Sequence, residues 1–317
     1  MNSQPILKQV PLPRTNRLAE MGGPSLRKTL TAYLYILPSA IFLLGILGFP
    51  ILYSVVISLQ NYKLEQLISK KAEFIGLGNY IAVLTDPNFK IALTHSLSFT
   101  FFSIFFQFTI GLGLAVLFSK AFPLSNTLRG LLLSGWQIPS VVTGTVFLWL
   151  FNLDYGLVNF LLMSAHLIKE PIGWLVQGDA ALPAVIIANI WLGIPFNLIM
   201  LSAGITGLPQ DIYEAATVDG AGGWQKFIHI TLPLLRPTIF AVLMLGFIYT
   251  LRVFDVIWIM TKGGPGNATE VLPTFAYRLS FVHFNFGQSA AISILILLIL
   301  LAGAVLYLKV AVAEDVL

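Results

Sequence analysis

Four histidines, His95, His166, His229 and His283, lie scattered along the chain with no spacing that would hold a metal. There is no cysteine, which removes disulfides, thiolate catalysis and cysteine–metal sites. No Gly-x-x-x-x-Gly-Lys-Ser/Thr segment occurs, so ATP is not expected on a P-loop of this chain. The glycine-rich Gly263-Gly264-Pro265-Gly266 follows an apolar run and reads as a turn rather than a phosphate cradle. A Gly-x-Ser-x-Gly nucleophile elbow is also missing. Neither catalysis nor a resident metal or cofactor is expected. The informative residues are polar ones in apolar settings: Asn189, Trp191 and Asn197 in one run, and Arg252, Asp255 and Trp258 in another. A third group, Asp211, Glu214, Asp219, Lys226, His229 and Arg236, is concentrated in Gly207–Pro237, between two apolar runs.

These residues need a membrane fold to position them. The chain is 57% hydrophobic and 10% charged, more apolar surface than a soluble protein can bury. Residues 1–30, with Pro5, Pro11, Pro13 and Pro24, lack a sustained apolar period and read as a flexible cytoplasmic tail. Tyr33–Leu59 follows without a charge, too long for the apolar region of a cleaved signal and without a small-residue cleavage site. It is expected to stay as a span bent at Pro38 and Pro50. Further spans are expected at about Leu93–Phe118, Leu131–Leu153, Ala180–Leu208, Thr238–Thr261 and Ser289–Leu308, each reaching the ~20 residues that cross a bilayer core. The expected fold is therefore all-α and polytopic, with six transmembrane helices in a membrane domain over residues 31–317. The loops at about 60–92, 152–179 and 262–288 are expected mainly to connect spans.

Six spans put both termini on one side. With the N-terminus inside, ten Lys and Arg fall inside and eight outside, a weak bias. Lys8, Arg14, Arg17, Arg27 and Lys28 flank the first span, and short flanks dominate orientation. That places both termini and the 207–237 loop in the cytoplasm. The basic tail is read as an orientation signal rather than a nucleic-acid site.

Polar side chains inside spans must find a partner or water, and they often mark a solute path. Asn189 lies about 14 Å into the fourth span at ~1.5 Å per residue, near the midplane, with Trp191, Pro195 and Asn197 close by. The competing reading is that Asn189 and Asn197 bridge neighbouring helices. Arg252 and Asp255, three residues apart, are expected on one face of the fifth span, pairing with each other or lining the path. Trp258 suits stacking on a sugar ring or a place in an interfacial aromatic belt. Gln107 and Gln137 read as interhelical contacts.

The charged loop resolves locally. Pro209 fits the first helical position, Asp211 and Glu214 fall in the first turns, and Ile212, Ala215 and Ala216 make a small apolar face. Gly220, Gly222 and Gly223 are suited to end and reverse this helix. A second short helix is expected over about Trp224–Ile230, stopped by Pro233 and Pro237.

Glu214-Ala215-Ala216, Asp219-Gly220-Ala221, Trp224, Phe227 and Ile230-Thr231-Leu232-Pro233 resemble the EAA loop of ABC importer permeases. FIGLGNYIAVLTDPNF at 74–89 and FDVIWIMTKGGPGNAT at 254–269 resemble the carbohydrate-uptake branch, which includes maltose and glycerol-phosphate permeases. The resemblance runs from about residue 30 onward, with its three motifs in the expected order. It implies a first-type ABC importer permease of the prokaryotic inner membrane that carries a sugar or related polyol, or a glycerol-phosphate-type solute. The implied partners are a second permease, two ATPase subunits that hold ATP and Mg, an extracytoplasmic solute-binding protein and the surrounding lipid. Glu214, Ala215, Ala216, Asp219, Gly220, Ala221, Trp224, Phe227, Leu232 and Pro233 would form the ATPase-coupling surface. For Glu214 the alternative is a surface acid that only favours the helix dipole. For the whole chain the alternative is a self-sufficient secondary transporter, which needs carboxylates deep in the spans; only Asp255 comes near.

Overall fold

The computed structural model describes residues 26–314 except Lys70 and Ala121. Residues 1–25 of the expected tail lie outside the described residues. The chain divides after Tyr53 into two compact units. The first contains α1 (Leu26–Leu43) and a π turn over Leu44–Gly48. The π turn passes directly into α2 (Phe49–Ser58), so Tyr33–Ser58 is one apolar helical stretch of 26 residues. Pro38 sits inside α1, while the disturbance expected around Pro50 takes the form of the π turn just before it.

From Ser54 onward the second unit continues with strand β1 (Gln60–Asn61), α3 (Leu64–Ser69), strand β2 (Glu73–Phe74) and α4 (Gly78–Thr85). The long α5 (Pro87–Phe118) is followed by α6 (Ser125–Ser134), α7 (Ser140–Leu150) and the short α8 (Leu157–Ser164). Then come α9 (Gly178–Thr206), α10 (Gln210–Val218), α11 (Gly223–Lys226) and α12 (Leu232–Leu251). The chain ends with α13 (Asp255–Met260), α14 (Leu272–Phe281) and α15 (Phe286–Glu314). Among the described residues, five helical stretches are long and apolar enough to cross a membrane, or six if the bent pair α6–α7 counts as one span.

The centre of this unit is the packing of α5 on α9. Small residues let the two backbones approach: Ser96, Ser103, Gly111 and Ala115 are buried on α5, and Ala181, Ala184 and Ala188 on α9. A Cβ at Gly111 would run into Asn197, and one at Gly193 into Gln107. Gln107 also donates from Nε2 to the Asn189 carbonyl at 2.8 Å.

Two expected spans are built differently. The third is not a straight helix over Leu131–Leu153. α6 runs into a 3-10 turn at Gly135–Gln137 and meets α7 at 103°. Pro139 explains the break, because the residue before a proline is pushed out of the helical region, and Ile138 is extended (φ −75°, ψ 123°). The fifth does not run over Thr238–Thr261. Its helix begins at Gly223, passes through a π turn at Phe227–Thr231 and ends at Leu251, with α13 a separate segment. Pro233 and Pro237, expected as stops, lie in the first turn and interior of α12. A proline ring clashes with the carbonyl four residues back. The wider π turn, in which Leu232 donates to the Phe227 carbonyl, opens the chain there and lets the helix continue.

The three connecting loops are more ordered than mere connections require. β1 and β2 pair antiparallel, Gln60 opposite Phe74, and Asn79 donates to the Ser58 and Gln60 carbonyls. Buried Asn159 on α8 holds the next loop, donating to the Ile172 carbonyl and accepting from the Trp174 indole. Between α13 and α14, Arg278 pairs with Glu270, which is 1% exposed, and donates to Asn267 and to the Lys262 carbonyl. Gly263 (φ 84°) leaves room for this pair, since a Cβ there would press on both side chains. Asn267 donates onward to Asn88 in the first turn of α5.

Burial raises the Glu270 carboxyl above its ordinary range, while the Thr274 hydroxyl and Arg278 act in the opposite sense. Arg278→Met should therefore strand a buried carboxylate, at a cost of about 3 kcal/mol. A carboxyl whose folded pKa exceeds its unfolded value loses stability as pH rises through that interval and regains it as pH falls. The Arg278→Met melting deficit should thus shrink on going from about pH 8 to about pH 5. Adding Glu270→Gln should remove that trend. A deficit that ignores pH in both variants would mean that the ion pair is not its source.

Candidate functional site

The charged loop forms a compact helical corner. Pro209 is the N-cap of α10 rather than its first helical residue, with φ −63° and ψ 123°. Asp211 lies in the first turn, where the dipole favours an acid. α10 ends in a Schellman turn: Ala221 N–H donates to the Ala216 carbonyl at 2.8 Å and Gly220 N–H to that of Thr217 at 3.1 Å. Gly220 takes the left-handed conformation this requires, with φ 79°. Gly222 is extended and caps α11, its N–H donating to Gln225 at 2.7 Å, while Gly223 is already helical. The expected reversal at Gly220 is therefore present, whereas the expected second helix over Trp224–Ile230 is the beginning of the long Gly223–Leu251 helix.

Two side-chain contacts fasten α10 to that long helix. The Tyr213 hydroxyl lies 2.9 Å from the Thr231 hydroxyl, and Lys226 Nζ donates to Thr217 at 2.6 Å. The Trp224 and Phe227 rings stack at 5.6 Å. Away from these contacts the corner is open: Val218 is 88% and Trp224 72% exposed, and Ile212, Glu214, Ala215 and Asp219 are also exposed. Glu214 has no ion pair or hydrogen-bonding side chain among the described residues. Ala221, Leu232 and Pro233 are half-buried at the base. The surface is small-residued and mixed in polarity, built on a rigid stem. Sequence reasoning missed Tyr213, Thr217 and Thr231 as members of this stem. The i, i+4 spacing of Tyr213 and Thr217 was the available signal.

The span residues separate into two groups. Asn189 and Asn197 are buried at the α5–α9 contact, and Asn197 donates to the Gly193 carbonyl at 2.8 Å. Trp191 on the same helix is exposed. Arg252, Asp255 and Trp258 sit where α12 gives way to α13. Arg252 and Asp255 do not share a helix face or pair, because the helix ends between them. Arg252 lies over the Tyr249 ring at 5.3 Å, and Asp255 accepts from the Ser140 hydroxyl at 2.8 Å, across the α7–α13 contact. Trp258 joins Phe254 and Tyr277 in an aromatic cluster with centroids 4.6 to 5.5 Å apart. Tyr277 comes from α14 and was not singled out in the sequence.

Residues 107–311 match the family model described as "Binding-protein-dependent transport system inner membrane component". The chain belongs to this family. It is thus a permease subunit of an ABC-type import system, spanning the membrane with helices of the first-type importer fold. The trehalose/maltose transport permease MalF of Thermococcus litoralis is 35% identical over 287 residues, covering 90% of this chain and 94% of that protein. The sulfoquinovosyl glycerol permease SmoG of Agrobacterium fabrum is 33% identical over 304 residues and 96% of each chain. The diacetylchitobiose permease DasB of Streptomyces coelicolor is 32% identical, covering 90% of this chain and 88% of its own. A crystal structure of a bacterial ABC transporter that imports alginate shares the fold, with TM-score 0.74 at 23% identity over 89% of this chain and 96% of that one.

The turn geometry generates a direct expectation. A Cβ at Gly220 meets nothing within 4 Å, so only the left-handed backbone opposes a side chain. Gly220→Ala should cost on the order of 1 kcal/mol, and Gly220→Val more. Hydrogen exchange at the Gly220 and Ala221 amides should accelerate in that order while the spans remain protected. Unchanged protection in the valine variant would show that the turn tolerates β-branching and that its conformation is not the constraint.

Proposed function

We propose that this chain forms one half of the translocation path of an ATP-driven importer for a sugar or related polyol. The observation that carries the reading is the exposed α10 corner, fastened by Tyr213–Thr231 and Lys226–Thr217 to a helix that continues through the bilayer. The named solutes of the relatives, trehalose or maltose, diacetylchitobiose and sulfoquinovosyl glycerol, all contain a sugar. A solved alginate transporter of the same fold was crystallised with its pentasaccharide-bound periplasmic protein.

In this reading a second permease completes the path, and two ATPase subunits bind ATP and Mg and dock on the two cytoplasmic corners. A binding protein delivers solute outside, and lipid surrounds the spans. Both termini face the cytoplasm, with a tail over residues 1–30 and the permease domain over 31–317. Closure of the ATPases drives α10 and the stem as one lever. Glu214 makes a polar contact in the ATPase groove, Ala215 and Ala216 permit close approach, and Asp219, Gly220 and Ala221 hold the turn. Trp224 and Phe227, whose rings stack on each other, complete the coupling surface with Leu232 and Pro233. For the solute, Arg252, Asp255 and Trp258, joined by Tyr277, are favoured over Asn189 and Asn197, whose burial supports the helix-packing role. Trp191 remains a path candidate through its exposure. Arg252 also suits a glycerol-phosphate-type solute, the second reading. A stand-alone secondary transporter is disfavoured because the Asp255 carboxylate is engaged by Ser140.

Reconstitution tests this reading. The chain alone in liposomes should move no sugar, whereas the complex with its ATPases should do so only with hydrolysable ATP. Uptake by the single chain driven by an ion gradient would overturn the proposal. Tyr213→Phe removes one hydroxyl of the stem, so it should leave the ATPases bound while lowering solute transported per ATP hydrolysed. An unchanged ratio would remove Tyr213 from the coupling path.

A further inference from the structure

A groove of about 1020 Å³ lies under the α10 corner, between α5 and the start of the Gly223–Leu251 helix. Its wall is graded. Phe108, Leu112 and Val116 form an apolar stripe on α5, faced by Phe227, and Lys120 and Lys226 stand at the end where α5 stops. No carboxylate lines it among the described residues. The Lys120 ammonium has no partner among the described residues, and Lys226 uses one of its three donors on Thr217.

The position of the gradient limits what fits. Phe108 and Leu112 lie inside a membrane-spanning helix, so that end of the groove is at bilayer depth. Lys120 follows the end of the helix, so the cationic end is at the water boundary. From Phe108 to Lys120 the stripe covers about 18 Å at ~1.5 Å per residue, comparable with the ~15 Å of one leaflet. A soluble partner does not reach the deep end, and an apolar helix has no use for two cations. Exposed Trp224 beside the lysines belongs to the side-chain type that sits at headgroup level.

We propose that this groove binds an anionic phospholipid, with its phosphate between Lys120 and Lys226 and an acyl chain along Phe108, Leu112 and Val116. Basic pockets between membrane helices recognise such headgroups. The groove shares Tyr213, Trp224, Phe227 and Leu232 with the coupling corner, whereas Glu214 and Ala215, exposed on α10, do not line it. It does not depend on which solute is carried.

Brominated phospholipids, which quench tryptophan, provide the test in nanodiscs holding the full chain assembled with its partner subunits. Trp224 is one of six tryptophans, so its signal is taken as the difference from Trp224→Phe. Brominated phosphatidylglycerol should quench Trp224 at a far lower mole fraction than brominated phosphatidylcholine. Lys120→Gln and Lys226→Gln should each reduce that preference on the order of fivefold. Gly113 lines the groove, and a Cβ there meets nothing within 4 Å. Gly113→Leu should therefore fold normally while blocking the acyl chain and weakening quenching by both lipids. Equal quenching by the two lipids in the wild type would overturn the proposal, as would a preference untouched by the double lysine variant. Loss of quenching on assembly, with its return in the isolated chain, would assign the groove to a partner subunit and reject the lipid.

Discussion

Everything in the second unit is referred to the close crossing of α5 and α9. In lipid there is no hydrophobic force to push two helices together, so packing and interhelical hydrogen bonds must hold them. Gly111 and Gly193 remove the side chains that would keep these backbones apart, and Asn197 and Gln107 occupy the spaces thus left. The Gln107–Asn189 hydrogen bond then fixes rotation as well as distance. α12 packs against both helices, α7 and α13 attach beside α9, and α14 touches α5 through the Leu272 N–H to Ser96 bond. The α10 corner inherits its position from the ends of α9 and α12.

Much of this was legible because lipid imposes a simple demand: every backbone polar group must be satisfied within the segment. Charge-free runs of sufficient length therefore reported α5, α9 and α15 to within a few residues at most ends. Gly220 was legible for a related reason, since a short helix that reverses before Trp224 needs a left-handed residue and Gly220 is the first able to supply one.

The misreadings came from prolines and from distance along the chain. Pro139 breaks a span while Pro233 and Pro237 do not, and the residues themselves are chemically identical. At Pro233 a π turn opens the preceding helix, whereas Pro237, like Pro183 and Pro195 in α9, sits inside α-helix that continues past it, so the residue type alone does not decide. A continuous helix would place Arg252 and Asp255 on one face, yet the helix ends at Leu251. The Tyr213–Thr231 contact joins residues 18 apart and exists only because the Gly220 turn folds one segment back on the other. Asp255 and Ser140 are 115 residues apart, beyond any local pattern.

The unbroken run from Gly223 to Leu251 has a mechanical consequence. Its 29 residues span about 43 Å at ~1.5 Å per residue, longer than the ~30 Å hydrocarbon core. It is therefore a rod with roughly a third of its length outside the oil, and its outer third is free to serve as a handle. A tilt of about 10° about one end of such a rod carries the other through about 7 Å. The moving end is Leu251, directly before Arg252 and the Phe254–Trp258–Tyr277 aromatic cluster. A small rotation at the corner is thus geared up at the far end of the rod, without any change in the rod's own hydrogen bonds.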